Sequence, residues 1–179
     1  MQTALIVIDV QRGLFDDTPR PAEADAVLGR INRLISRARA AGAPVVFVQH
    51  EQPAGAMPFG SAAWALERSL SAQADDHRIR KTTPDSFLDT GLAALLDRLQ
   101  ANQLVICGYA TEFCVDTTTR RAAGLGYAIT LAADAHTTHD KPHASAGLIR
   151  CHHNATLSAI TSFRRPVRAL ASEDILFDL

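Results

Sequence analysis

Cysteine is scarce in this chain: three among 179 residues, at Cys107, Cys114 and Cys151. An odd, sparse set offers no disulfide framework and fits a reducing compartment, so a cytoplasmic location is expected. An excess of charge of one sign is also missing. The net charge is −1, a balance that asks for neither nucleic acid nor an anionic membrane as partner. Long apolar runs are absent: the first, Ala4–Ile8, stops at Asp9. With no basic stretch before it and no small-residue cleavage site after it, neither a signal peptide nor a membrane span is expected. There is no internal repeat, low-complexity linker or shift in composition, so residues 1–179 are expected to form one domain with a real core. The turn Asp9–Gly13 lacks the G-x-G-x-x-G of a dinucleotide site.

What the chain does have is hydrophobic content of 47%, arranged in short runs separated by helical patterns. ALIVI (Ala4–Ile8) and PVVFV (Pro44–Val48) read as strands buried on both faces of a parallel sheet. Ala22–Ala41 carries apolar residues at helical spacing and closes at Gly42. Glu51–Gly60 reads as loop, and Ala62–Leu70 as a short helix carrying the only tryptophan, Trp64. His77–Lys81 is a third, weakly apolar strand, followed by a helix at Gly91–Gln100. Leu104–Cys107 is a fourth strand, with a helix at Thr111–Leu125 after it. Tyr127–Ala132 is the fifth, followed by a long helix at His143–Ser162, and Val167–Leu170 is the sixth. Strands alternate with helices throughout. The expected fold is therefore α/β: a three-layer, Rossmann-like, six-stranded, mostly parallel sheet of order 3-2-1-4-5-6 with helices on both faces.

The stretch Leu104–Arg121, LVICGYATEFCVDTTTRR, carries the chemistry. A strand stops at Gly108, a turn of small and hydroxyl residues follows, and Cys114 falls in the first turn of the predicted helix. Unpaired amides and the positive end of a helix dipole stabilise a thiolate there. In the order 3-2-1-4-5-6, strands 1 and 4 flank the switch point, where ligands bind outside the carboxyl ends of strands. Asp9 ends strand 1, Cys114 follows strand 4, and Lys81 ends strand 3 with a side chain long enough to lean inward. Such a trio supports acyl transfer by a thiol, with Lys81 expected to lower the thiol pKa and Asp9 to move the proton. An ion pair between Lys81 and Asp9, or a capping role for Asp9, would explain the same residues without catalysis.

Three segments resemble the isochorismatase-like cysteine hydrolases, the superfamily that includes nicotinamidases and N-carbamoylsarcosine amidase. They are LIVIDVQRGLF (Leu5–Phe15), RKTTPDSFLDTGL (Arg80–Leu92) and VICGYATEFCVDTTTRRAAGLGYAITLAADA (Val105–Ala135). The resemblance implies that Cys114 is the nucleophile, Asp9 the general acid/base and Lys81 the activating cation. It also implies a cis Tyr109–Ala110 peptide, with the amides of Ala110 and Cys114 forming the oxyanion hole. Gln11, Phe15, Trp64, Tyr109, Phe113 and His136 are candidates for lining the pocket, although aromatics such as Phe15 and Trp64 more often simply pack. Nicotinamidases carry a D-x-H metal site after the second strand, where this chain reads Gln49-His50-Glu51-Gln52. No metal, no cofactor and no nicotinamide substrate are therefore expected. Retention of Cys114 favours an amide, carbamoyl or ureido bond over the vinyl ether cleaved by true isochorismatases. The expected partners are a small-molecule substrate and further copies of the chain, as a dimer or tetramer.

Other readings compete. Cys114 to Arg120 fits the C-x5-R of cysteine phosphatases, but VDTTT lacks the glycine such a phosphate loop needs. Five of the seven histidines fall at His136, His139, His143, His152 and His153, with Cys151 among them. Their spacing matches no common zinc frame, and helix packing or a subunit contact explains them better. Vinyl-ether hydrolysis stays open, as does a thiol sensor or binding module without turnover. A sensor has no use for Asp9 beside its thiol.

Overall fold

The structure, a computed structural model, describes residues 2–177. Six strands, β1 (Gln2–Ile8), β2 (Val45–His50), β3 (His77–Lys81), β4 (Ala101–Tyr109), β5 (Ala128–Thr137) and β6 (Val167–Leu170), form one sheet. Its order is β3-β2-β1-β4-β5-β6, and every pairing is parallel. The helices are α1 (Arg12–Phe15), α2 (Ala24–Ala40), α3 (Leu92–Arg98), α4 (Asp116–Gly124) and α5 (Ala146–Ser158).

The strands read as continuous apolar runs because successive side chains serve two cores. Leu5, Val7, Val45, Phe47, Val105 and Cys107 face α2, which buries Val27, Leu28, Ile31, Leu34, Ile35 and Ala38. Ala4, Ile6, Ile8, Val46, Val48, Leu104 and Ile106 pack with residues of α3, α4 and α5. Cys107 is thereby a core residue with no exposure, and burial pushes its thiol far up. Among the described residues, no helix is long and apolar enough to cross a membrane.

Four differences from the sequence reading have physical causes. Residues 62–70 form turns, not a helix, because their backbone is tied across the chain to residues 10–13. Arg12 N donates to Ala65 O, Gly13 N to Ala63 O, and Glu67 N to Val10 O. Helix α5 starts at Ala146, where Ser145 Oγ accepts from Leu148 N and Asp140 Oδ1 from Ala146 N, and not at His143. β5 runs on to Thr137, five residues past Ala132, its far end paired with Gly108 and Tyr109. Between β4 and α4 the chain winds as a π-helical turn, Thr111–Val115, so Cys114 precedes the α-helix proper.

At Gly108 two backbones of the sheet approach closely. This glycine sits beside Ile8 in the β1–β4 register at φ 120°, and a Cβ there would lie 2.1 Å from Ile8 O. Neither backbone can yield without moving the strand ends that carry Asp9 and Cys114. Gly108→Ala is expected to cost about 2–4 kcal/mol, measured as a lower midpoint in urea unfolding. A variant as stable as the parent would show that the two strands can separate freely.

Candidate active site

β1 ends at Ile8, and Asp9 turns the chain with φ 52°, a left-handed conformation that Asp tolerates better than most residues. β3 ends on Lys81, in register with His50 at the end of β2. Tyr109–Ala110 is a cis peptide, and the π-turn that follows carries Cys114.

Lys81 gathers these ends. Its Nζ donates to Asp9 Oδ2 at 2.7 Å, to the Thr83 carbonyl at 3.1 Å and to Cys114 Sγ at 3.2 Å. His50 Nδ1 lies 3.4 Å from the same nitrogen. Both side chains of the Lys81–Asp9 pair are buried, so each charge depends on the other. Asp9 Oδ1 is buried without a partner, leaving one carboxylate oxygen free to accept a proton.

The thiol departs from expectation. Burial pushes Cys114 up to about 12, and the negative charge of Asp9 adds to the rise; Lys81 pulls the other way and does not prevail. The resting sulfur is therefore a thiol, because burial of the sulfur itself removes more hydration than one buried, already paired ammonium restores. Deprotonation becomes a step that needs Asp9.

The other predicted residues divide. Gln11 is fully buried; its Nε2 donates to His50 O and Trp64 O, and its Oε1 accepts from His50 N. It clamps β2 to the 61–70 segment and does not line a pocket. Phe15 is likewise core, edge-on to Tyr109 at 5.8 Å. Tyr109 is half-buried, its hydroxyl 2.9 Å from His139 Nδ1. Trp64 is half-buried against Phe59. Phe113, next to the thiol, is 54% exposed, with Lys141 Nζ 5.4 Å from its ring centroid.

His136 does not reach a pocket rim, because it has no exposed surface. Asn154 Nδ2 donates to Ala133 O, so its Oδ1 accepts from His136 Nε2 at 2.9 Å. That leaves His136 Nδ1 to accept from Thr111 Oγ1, also at 2.9 Å. This line of bonds ties α5 and β5 to the first residue of the π-turn. Glu112 is held beside it by Thr138 Oγ1 and Lys141 Nζ. Of the remaining clustered histidines, His139 lies against Tyr109 and Pro19, while His143, His152 and His153 line one pocket with Glu112; among the described residues no three His, Cys, Asp or Glu converge as a metal site.

Sequence reasoning missed His50, Thr83, Thr111 and Asn154. For His50 the signal was available: it ends the strand beside Lys81, and paired residues of neighbouring parallel strands share a face.

Fold and site together define a class, an α/β protein with a thiol-centred cluster at the switch point of a parallel sheet. The isochorismatase domain model matches residues 3–162, and the chain belongs to the isochorismatase family. A streptothricin hydrolase of Streptomyces noursei is 41% identical over 142 residues, covering 79% of this chain and 51% of the relative. The chain thus spans about half the length of that relative. The ureidoacrylate amidohydrolase RutB of Serratia proteamaculans is 31% identical over 171 residues, covering 75% of this chain and 69% of its own length. A crystal structure of an isochorismatase family protein superposes with a TM-score of 0.86 at 38% identity, covering 94% of this chain and 98% of the other.

Burial lowers His136 to about 4, with the Asn154 bond opposing and outweighed. The unfolded chain, with this group near 6.5, binds the extra proton as pH falls. The stability contribution is full above pH 6.5 and lost progressively down to about 4, amounting to about 3 kcal/mol. Urea unfolding at stepped pH should show this slope, and His136→Gln should flatten it by about one proton. An unchanged slope in the variant would assign the loss to other groups.

Proposed function

We propose that this chain is a cysteine hydrolase that cleaves a carbon–nitrogen bond, in an amide, carbamoyl or ureido group, of a small molecule through a thioester. The observation that carries the reading is one ammonium, Lys81 Nζ, held 2.7 Å from Asp9 and 3.2 Å from Cys114, with a second Asp9 oxygen unpartnered. A structural ion pair has no need of a thiol at hydrogen-bond distance or of a carboxylate oxygen left without a donor.

Asp9 takes the Cys114 proton as sulfur attacks the substrate carbonyl, and Lys81 steadies the charge that develops on sulfur. The carbonyl oxygen gains negative charge, for which the backbone amides of Ala110 and Cys114 are the donors. Collapse breaks the C–N bond, and Asp9 returns its proton to the departing nitrogen. Water then adds to the thioester with Asp9 as base, releasing the acid and restoring the thiol. A thiol near 12 suits this sequence, since its proton moves only when a carbonyl is present to accept the sulfur. The relatives point the same way, one named a streptothricin hydrolase and another a ureidoacrylate amidohydrolase.

Small amides, ureas and carbamoyl compounds are to be screened for ammonia release. Cys114→Ala should reduce turnover of any substrate found by at least about 10³-fold, and Asp9→Asn by a similar factor without emptying the position beside Lys81. Full activity in Cys114→Ala would overturn the thioester route. Mass spectrometry of a quenched reaction should show the acyl group on Cys114.

A further inference from the structure

Lys81 has more neighbours than hydrogens. An ammonium carries three N–H donors and no acceptor, yet Asp9 Oδ2, Thr83 O, Cys114 Sγ and His50 Nδ1 lie 2.7, 3.1, 3.2 and 3.4 Å from Nζ. The two oxygens are the better acceptors and hold two hydrogens. Sulfur and the imidazole share the third. Because ammonium cannot accept, the His50 nitrogen facing it is the unprotonated one, and Nε2 carries the ring hydrogen.

Resting on the cysteine-hydrolase reading, we propose that His50 is a positioning residue for Lys81: its neutral imidazole takes the N–H that Cys114 gives up when sulfur becomes a thioester. As Asp9 takes the thiol proton, charge develops on sulfur and draws the third hydrogen strongly. A thioester sulfur carries no charge and accepts poorly, and a buried N–H left without a partner is costly. His50 Nδ1, in register with Lys81 across β2 and β3, lets the ammonium keep three partners and keep Asp9 in place while water is activated. The hydrogen moves between two acceptors; no bond to carbon or sulfur is made or broken.

The surroundings keep this imidazole available. Burial first, and then Lys81 on β3, lower His50 from its ordinary value; Asp9 after β1, Glu51 on its own strand end and the Thr83 carbonyl push the other way and are outweighed. Gln11 holds the His50 backbone through both its N–H and its carbonyl, so the ring has a fixed base. A cap or core role for His50 would need neither the register with Lys81 nor an unprotonated nitrogen turned toward a cation.

The test needs no substrate. Cys114→Ala removes the competing sulfur and leaves Nζ with Asp9 Oδ2, the Thr83 carbonyl and His50 Nδ1. Nitrogen-15 NMR of labelled histidine should then show the His50 Nδ1 signal moving toward the hydrogen-bonded range and its titration midpoint falling. Both changes should vanish in Lys81→Met. An unmoved His50 signal, or the same movement in Lys81→Met, would overturn the proposal whether or not the protein turns over a substrate. Where an amide substrate is in hand, His50→Asn, which restores an acceptor, should retain kcat within about twofold, and His50→Leu should lose roughly tenfold in kcat with KM little changed. Equal losses in the two variants would also overturn it. Loss of the hydrolase reading itself would show separately, as Cys114→Ala retaining activity.

Discussion

One buried ammonium sets the terms for the rest of this molecule. Lys81 is held with its charge out of water by Asp9, by a backbone carbonyl and by the Cys114 sulfur. A cation in that position survives only where several acceptors arrive from different directions. They arrive because the sheet order places the ends of β1, β2 and β3 and the π-turn around one point. Gly108 lets β4 approach β1 closely enough for that point to exist.

Two polar lines hold the surrounding backbone. On one side the Gln11 carboxamide spans the end of β2 and the Trp64 carbonyl. On the other, Thr111, His136 and Asn154 run in one donor-to-acceptor direction from the turn bearing the thiol into α5. Each line centres on a fully buried side chain, Gln11 or His136, whose polar atoms all have partners, the condition under which a polar network selects a single conformation instead of weakening a core. The thiol thus sits on a turn restrained at its first residue, while Phe113 beside it stays largely in solvent.

Much of this was readable in the residues. Strands buried on both faces declare themselves as unbroken apolar runs, and the alternation with helices constrains the sheet order through handed crossovers. Even β3, with only Ile79 truly apolar and buried, could be placed by its position between a loop and a helix. The 62–70 segment could not, because its backbone partners lie some fifty residues away and a local pattern does not see them. The π-turn has no sequence signature distinct from a helix start. Side-chain direction was the other gap: Gln11, Phe15 and His136 lie near the site in the chain, but only packing shows that they face inward. The thiol's ionisation went the same way, since helix ends and a lysine are visible in sequence and the depth of burial is not.

The protonated resting sulfur also bears on how the protein ages. Peroxides attack thiolates far faster than thiols, and the first product can proceed to acids that no thiol reverses. A sulfur held near 12 by burial and a neighbouring carboxylate presents almost no thiolate at neutral pH. Half-buried and held toward the protonated form, Cys114 is thereby withdrawn from such oxidants, and the exposed Cys151 stands as the thiol that they meet first.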